Sequence, residues 1–450
     1  MKYFFETYCC QMNSAESASL TLACKERGWQ QADSGEDADI VLLNTCSVRL
    51  TAEKRALGRI AHYNALKKKG RAFTLVIAGC MAQRLGGKLK EKFLNVDYVM
   101  GTSARSNFPL ILEAAEKGAK VNFDINENAV FSFSRSHLSD EGQFRSFIPI
   151  MHGCNNFCSY CVVPYVRGRE VSRSPENILE EIRLVGERGV REVTLLGQNV
   201  NSYFWEKDNV DFCALLKMIA DKLAASNVKS GVSWIRFLSA NPRNFSLKTI
   251  EALAGNKIFC RHLHLPVQSG SDSILKAMNR GYTAGQFLEL VNAIRKAMPG
   301  ITLSTDILAG FPGETEDDIK KTLNLMEEIK FLYSYMYHFN PREGTKAFDL
   351  PDRISEDVKK ERLSRVIALQ KKHTDALLKS RIGSVETVLI EGISRKNADE
   401  LITRTEKDEM VAVPGSKALI GSFAELKLSA LKGNTFRAKE LIFNKHIYKE

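Results

Sequence analysis

The sequence predicts an α/β protein in three parts: an N-terminal parallel α/β sheet domain, a central partial (βα)6 barrel and a small C-terminal antiparallel β-barrel. Three observations predict it. Apolar runs of strand length alternate with helical segments through the first 120 residues. Six more strand–helix units start at FIPIMHGC. After Ile382 the texture changes to short strands separated by turn residues.

In the first part (1–122), KYFFETY (Lys2–Tyr8) reads as a strand, and Ser14 can cap a helix running to Arg27. DIVLLNT (Asp39–Thr45) has the unbroken apolar run of a buried parallel strand. A helix over Thr51–Lys69, the strand FTLVIAG (Phe73–Gly79) and a helix over Ala82–Phe93 follow. VDYVMGT and PLILEAAEKG make the fourth unit. Residues 123–145 are polar and serine-rich and read as a linker.

The barrel (146–380) is expected to use strands Phe147–His152, Val193–Leu196, Trp234–Ser239, His262–Val267, Thr302–Leu308 and Ser334–Phe339. Pro175–Arg188 and Ala284–Lys296 are among its helices, and its active face lies at the carboxyl ends of the strands. A charged helix over Ser355–Lys379 leads out to the tail barrel (381–445), whose strands are VETVLIEGI, ELITRT, MVAVP, FAELKLSALK and TFRAKEL.

No run of about 18 apolar residues marks a membrane span. MKYFFETYCC lacks the order of a signal peptide. The expected compartment is therefore the cytoplasm, where ten cysteines are packing groups, nucleophiles or metal ligands rather than disulfides. The net charge of +11 favours a polyanionic partner, and Leu426–Lys449 holds six Lys/Arg against one Glu.

Three cysteines fall in register. Cys10 follows the first strand, Cys46 the second and Cys80 the third, so all three stand at the sheet edge that builds binding sites. Cys24 breaks the pattern inside a helix and reads as core, as do Cys213 and Cys260. A second trio, Cys154, Cys158 and Cys161, is spaced C-x3-C-x2-C directly after a strand. Tetrahedral structural zinc wants four ligands. A four-iron cubane on three thiolates leaves one iron open. Zinc completed by His152, or plain core cysteines, are the alternatives.

With these cysteines, the chain resembles the radical S-adenosylmethionine methylthiotransferase family over its whole length. Within it, the MiaB-type branch is matched by "QMN" after Cys10, "NTCSVR", "CVVPYVRGREVSR", "LLGQNVNSY", "HLHLPVQSGSDSILKAMNRGYT" and "STDILAGFPGETE". Cys9 departs from the pattern, since members usually carry glycine there; the resemblance makes Cys10 the ligand.

The resemblance implies two 4Fe-4S clusters. Cys154, Cys158 and Cys161 would hold the one that binds S-adenosylmethionine and yields a 5′-deoxyadenosyl radical. Cys10, Cys46 and Cys80 would hold an auxiliary cluster that carries the sulfur to be inserted. The implied reaction methylthiolates carbon 2 of an N6-isopentenyl adenine beside the anticodon of tRNA, in a splayed anticodon stem-loop. An electron donor such as flavodoxin or ferredoxin, a TRAM-type RNA-binding tail, a monomeric chain and an assembly of the three parts around one cavity complete the implied picture.

Weaker candidates surround this core. Tyr160 is read as an adenine-packing ring or a core aromatic. Gly197, Gln198 and Asn199 end the second barrel strand, where similar proteins bind the cofactor's amino and carboxylate groups; Ser239, Gln268 and Asp306 end later strands. Arg167, Arg169 and Arg173 follow the cysteine loop and are read as meeting cofactor carboxylate or RNA phosphate, or as a solvated loop. GFPGETE lacks the Gly-Lys-Ser/Thr ending of a phosphate loop, so Thr315 is expected near a helix cap. His262 and His264 share a strand face as core, substrate contacts or ligands. Phe436, Phe443 and Tyr448 suit either an RNA surface or a small core. Rival readings are a methylthiotransferase acting on threonylcarbamoyl-adenosine in tRNA or on a ribosomal protein, and a zinc-stabilised RNA-binding protein without catalysis.

Overall fold

The structure is a computed structural model, and it describes all residues except 9, 49, 120, 122–132, 134–143, 226–230, 396 and 444–450. Cys9, Tyr448 and most of the 123–145 linker therefore lie outside the described residues.

The N-terminal part contains β1 (Lys2–Thr7), α1 (Gln11–Glu26), β2 (Gln30–Gln31), β3 (Ile40–Thr45), α2 (Leu50–Lys68), β4 (Thr74–Gly79), α3 (Cys80–Leu85), α4 (Gly87–Lys92), β5 (Tyr98–Met100) and α5 (Phe108–Glu116). Its sheet is parallel in the order β2-β1-β3-β4-β5. Alternate residues of β3 and β4 enter opposite cores, Val41, Leu43, Leu75 and Ile77 on one face and Ile40, Leu42, Val76 and Ala78 on the other. Helices cover both faces, so the apolar run of β3 is buried throughout. Helix α1 starts earlier than Ser14, with Cys10 as its N-cap residue. The Asn13 amide donates to the Tyr8 and Thr45 carbonyls at 2.9 and 3.2 Å and ties that first turn to the strand ends. The helix expected over Ala82–Phe93 divides at Gly86, whose φ of 51° no right-handed helix accepts.

The middle part contains β6 (Arg145–Pro149), β7 (Met151–His152), α6 (Val163–Arg167), β8 (Val171–Ser172), α7 (Pro175–Glu187), β9 (Glu192–Leu196), β10 (Phe204–Trp205), β11 (Val210–Asp211), α8 (Phe212–Ala225), β12 (Trp234–Phe237), α9 (Leu247–Ala254), β13 (His262–His264), α10 (Asp272–Ala277), α11 (Ala284–Ala297), β14 (Thr302–Ala309), α12 (Glu316–Ile329), β15 (Tyr333–His338) and α13 (Glu356–Ser380). Two parallel triplets, β6-β9-β12 and β13-β14-β15, are joined by a parallel bridge between Ile235 and Phe259. Among the described residues no pairing links β6 to β15, so the (βα)6 barrel stays open there. Ile148, Val193, Leu195, Ile235 and Phe237 pack outward against the helices, which leaves the alternate side chains inside. The strand expected over Phe147–His152 divides, because β7 pairs antiparallel with β8. Thr315 caps α12 in a reciprocal box with Asp318.

The tail contains β16 (Val385–Ser394), β17 (Asn397–Thr405), β18 (Met410–Pro414), β19 (Phe423–Lys427), β20 (Ala430–Lys432) and β21 (Thr435–Arg437). They form one sheet in the order β19-β16-β17-β18-β21-β20, antiparallel except for the β18–β21 pair. Phe436 is wholly buried with Val388, Leu401 and Val411, so it is core and not RNA surface. On the outside, Arg395, Lys432 and Arg437 line a groove of about 510 Å³ with Ile393 and Met410.

The three parts do not surround one cavity as expected, because the tail lies away from the N-terminal part and closes the opposite end of the barrel. Arg236 donates to the Glu406 and Thr405 carbonyls at 2.9 Å each and to Glu192 Oε2 at 2.9 Å. Tyr333 donates to Asp408 Oδ2 at 3.0 Å, and Trp234 meets the Phe423 ring at 4.8 Å. Glu192, Trp234 and Tyr333 all begin barrel strands. His262 and His264 lie within this interior. His262 touches Thr302 Oγ1 at 2.8 Å and Ser304 Oγ at 3.0 Å, and it stacks on Tyr333. Among the described residues no helix is long and apolar enough to cross a membrane.

Candidate active site: two cysteine trios at the barrel mouth

The first trio stands at the carboxyl ends of β1, β3 and β4. Cys10 enters α1, Cys46 follows β3 and Cys80 opens α3. A web of side chains draws the three loops together. Asn44 donates to the Asn13 carbonyl at 3.0 Å and to Ser17 Oγ at 3.1 Å. Thr45 Oγ1 donates to the Ala78 carbonyl at 2.5 Å and accepts from the Ala82 amide at 3.3 Å. Gly79 has φ of 91°, and a Cβ there would stand 2.4 Å from the Thr45 carbonyl oxygen. Only glycine lets β4 close on β3 at that point. A hydrogen bond to Cys46, then burial, pushes the Cys10 thiol well above its usual range. Burial also raises Cys80, opposed by the nearby Arg167.

The second trio sits on the loop after β7. Gly153 has φ of 81°, and a Cβ there would fall 1.9 Å from the Arg169 carbonyl oxygen. This glycine therefore fixes the return of the loop. The Cys154 amide donates to Gly168 O at 3.1 Å and the Cys161 amide to Cys158 O at 2.9 Å. Ser159 is held from the far side by Met278 O and Ala277 O. Two donors reach the sulfurs, Asn156 Nδ2 to Cys154 Sγ at 3.6 Å and Arg280 Nη1 to Cys158 Sγ at 3.3 Å. Burial, with Cys158 beside it, pushes the Cys161 thiol up to about 12.

The segments that carry the two trios pack together: Cys80 lies against Val162 and Val166, one and five residues after Cys161. On the other side, Met12, Ala15 and Cys10 pack on Phe147, Leu196 and Leu238 at the barrel strands. Arg342, beyond β15, donates to Glu53 Oε2 at 3.0 Å. The N-terminal part is thus fastened from both sides of the open barrel, over its carboxyl face.

The weaker candidates divide. Gln198 Oε1 accepts from the Gly153 amide at 2.6 Å and so braces the cysteine loop. Asn199 is buried and donates to Glu170 Oε1 at 3.2 Å, while its Oδ1 has no partner. Gly197 packs tightly on Met151, where a Cβ would stand 2.5 Å from its Cγ. Ser239 and Gln268 both hold positive φ, 67° and 76°. The Gln268 amide donates to Asp306 O at 2.9 Å, and Asp306 Oδ1 lies 3.5 Å from His264 Nε2. Tyr160 packs with Ile274, Phe311 and Leu308 and takes a 3.5 Å hydrogen bond from Arg280. Arg167 and Arg173 are buried ion-paired groups, with Glu16 and Glu181, so neither belongs to a solvated or phosphate-facing loop. Arg169 alone of the three is exposed, over the Phe157 ring.

Sequence reasoning missed Arg280, Asn13, Asn44 and Glu16. Arg280 lies in the quoted "MNRGYT" and Asn13 in "QMN", so the signal was a charged or amide residue inside a motif already noticed.

The donor sets suit iron–sulfur clusters. Each trio offers three thiol sulfurs, the donor number of a cubane with one open iron corner. Donors already aimed at Cys154 and Cys158 are of the kind that tune cluster thiolates. The unpartnered, buried Asn199 Oδ1 fits an amino-bearing cofactor at the same mouth.

Comparison with known proteins gives the family. Residues 2–101 match the uncharacterized protein family UPF0004, 148–326 the Radical SAM superfamily and 379–441 the TRAM domain. A tRNA-2-methylthio-N(6)-dimethylallyladenosine synthase of Treponema denticola is 48% identical over 97% of this chain and 99% of its own. The synthase of Treponema pallidum is 46% identical over 97% and 98%. The chain belongs to the tRNA-2-methylthio-N(6)-dimethylallyladenosine synthase family. The three matched regions of this chain follow the three parts of its fold in order. Among solved structures, the radical S-adenosylmethionine methyltransferase TsrM of Kitasatospora setae shares the fold at a TM-score of 0.57, with 15% identity over 77% of this chain and 74% of that one.

Proposed function

We infer that the protein is a radical S-adenosylmethionine tRNA methylthiotransferase that places a methylthio group on carbon 2 of N6-isopentenyl-adenosine beside the anticodon. The observation that carries this is near-full-length identity of 48% to a synthase of that name, in a chain where Cys10 packs at the barrel strands and Cys80 against the helix that follows the second cysteine trio.

Cys154, Cys158 and Cys161 would hold one 4Fe-4S cluster with S-adenosylmethionine, and Cys10, Cys46 and Cys80 would hold the other. Bound there, the cofactors would supply the radical that activates an aromatic C–H and the sulfur that replaces its hydrogen. The chain's own residues do the rest. Arg280 and Asn156 donate to the Cys158 and Cys154 sulfurs. Gln198 braces the loop that carries them. Asn199, Ser239, Gln268 and Asp306 offer polar groups at the carboxyl face for the cofactor's amino acid end and ribose. The N-terminal part covers that face and limits access of water to the reacting atoms.

The anticodon stem-loop of tRNA is the substrate, and Arg395 and Lys432, in a groove also lined by Glu391 and by Arg437 paired with Glu400, support phosphate contact by the tail. A flavodoxin or ferredoxin supplies the electron, and the chain acts as a cytoplasmic monomer divided at 1–122, 146–380 and 381–445.

The test is chemical. Protein purified without oxygen should carry about eight irons and as many sulfides. A strain lacking the gene should accumulate the isopentenyl nucleoside in its tRNA and lose the methylthio form. Unchanged tRNA nucleosides in that strain would remove the assignment.

A further inference from the structure

The loop of the second trio is bolted to the barrel by one short segment. Helix α10 ends at Ala277, and Asn279 turns the chain back with φ of 57°. Ser159 is held by Ala277 O and Met278 O, and Asn279 Nδ2 donates to Asn156 O at 3.0 Å and Phe157 O at 3.1 Å. Arg280 follows and is 6% exposed. Its planar fork reaches three segments at once. Nη2 donates to Pro266 O at 2.6 Å, beyond β13, and Nε donates to Tyr282 Oη at 3.0 Å. Nη1 donates to Cys158 Sγ at 3.3 Å and to Tyr160 Oη at 3.5 Å. Tyr282 Oη donates on to Pro266 O at 3.2 Å and Val267 O at 3.0 Å, which fixes the far side of the fork.

The partners of Arg280 set it apart. Of the five buried arginines among the described residues, four pair with a carboxylate: Arg167 with Glu16, Arg173 with Glu181, Arg236 with Glu192 and Arg362 with Glu314. Arg280 pairs with none. It meets two phenol oxygens, one carbonyl oxygen and one sulfur. A buried cation is costly unless an anion faces it. Of those four partners the sulfur alone becomes an anion in use, because a cysteine ligates metal as its thiolate. A cation and an N–H donor at a ligand sulfur favour the reduced, more negative cluster and raise its potential.

We propose that Arg280 is the positioning residue of the radical site: it is the built-in countercharge of Cys158, tied to the strand end at Pro266, and it thereby sets the reduction potential of the centre held by Cys154, Cys158 and Cys161. The same nitrogen that reaches Cys158 reaches Tyr160, so the ring beside the cofactor site and the ligand sulfur are held from one point. The inference rests on the reading above that this loop holds a cluster.

The test uses the full chain with Cys10, Cys46 and Cys80 changed to alanine, so that only the radical centre is read. Its potential is measured by electron paramagnetic resonance titration without S-adenosylmethionine, in this parent and with R280M, R280Q, R280K or Y282F added. Arg280→Met should move the potential negative. Arg280→Lys, which keeps the charge, should stay nearer the parent. Tyr282→Phe, which loosens the fork but leaves charge and sulfur contact in place, should match the parent. A strap without electrostatic effect predicts no difference between R280M and R280K. An unmoved R280M, equal shifts in R280M and R280K, or a Y282F shift as large as that of R280M overturns the proposal. If R280M takes up no iron, R280Q and R280K decide: a lower potential in R280Q supports it and equal potentials overturn it. Loss of iron from every Arg280 variant, R280K included, also overturns it, since the retained charge should suffice. A parent that binds no iron removes the cluster reading of this loop; a loaded parent with unmoved variants removes this inference alone.

Discussion

At the residue scale, the site depends on a few groups whose replacement has separable effects. Cys10→Ala should leave cleavage of S-adenosylmethionine to 5′-deoxyadenosine intact, since the radical trio is untouched, and abolish methylthiolated product. Chromatography of both products from one reaction checks this; retained product would move the ligand away from Cys10. Gly153→Ala should cost about half of the eight irons, because its Cβ would sit 1.9 Å from a main-chain oxygen that has no room to retreat. Iron analysis against an unchanged auxiliary signal reads the effect. His262 gives the molecule an acid-sensitive point. Burial, partly offset by Asp408, pushes its pKa down to about 3. Between the ordinary value of 6.5 and that figure the unfolded chain binds a proton that the folded chain refuses. Stability should therefore fall as pH drops below 6.5, by roughly 1.4 kcal/mol per unit at most. His262→Gln should flatten that slope in denaturant titrations at pH 7 and pH 5, and an equal loss in both proteins would contradict it.

At the element scale, local signals set most of what is seen. The cap at Thr315 was readable in "GFPGETE" and its reciprocal partner Asp318 was not, and Thr315→Ala should lower stability by about 1 kcal/mol without touching the cysteine loops. Urea unfolding with an iron assay separates the two. The alternation of strands and helices, and the register of Cys10, Cys46 and Cys80 at one sheet edge, were legible because parallel βα units place every strand end alike. The start of α1 was not, because Asn13 is held by the Thr45 carbonyl, a partner thirty-two residues away that no local pattern announces. The buried pair of Arg167 with Glu16 escaped for the same reason, while Arg173 escaped although its partner Glu181 is only eight residues on, because an arginine in a polar run looks solvated until the helix it faces is placed. Arg280 sat inside a noticed motif, yet only the fold brings it to Cys158.

At the scale of the whole molecule, the tail's position is the largest departure from the sequence reading. Removing residues 381–450 should not yield a bare working barrel. It would strip Arg236 of its two carbonyl partners and Tyr333 of Asp408, and leave Glu192 and His262 open at the strands' amino ends. The truncated chain should be insoluble or melt well below the full one, which differential scanning fluorimetry would read; an equally stable truncation would mean that the seam is superficial. The two seams are alike in kind, since each buries a charge from one part on acceptors from another. This bears on inheritance. A gene recombining with a distant cousin between these parts would bring together an arginine and a carboxylate that never evolved as a pair, and the hybrid would be selected against. The three parts should therefore descend as one linked block, with residues 16 and 167 changing together or not at all across the lineage.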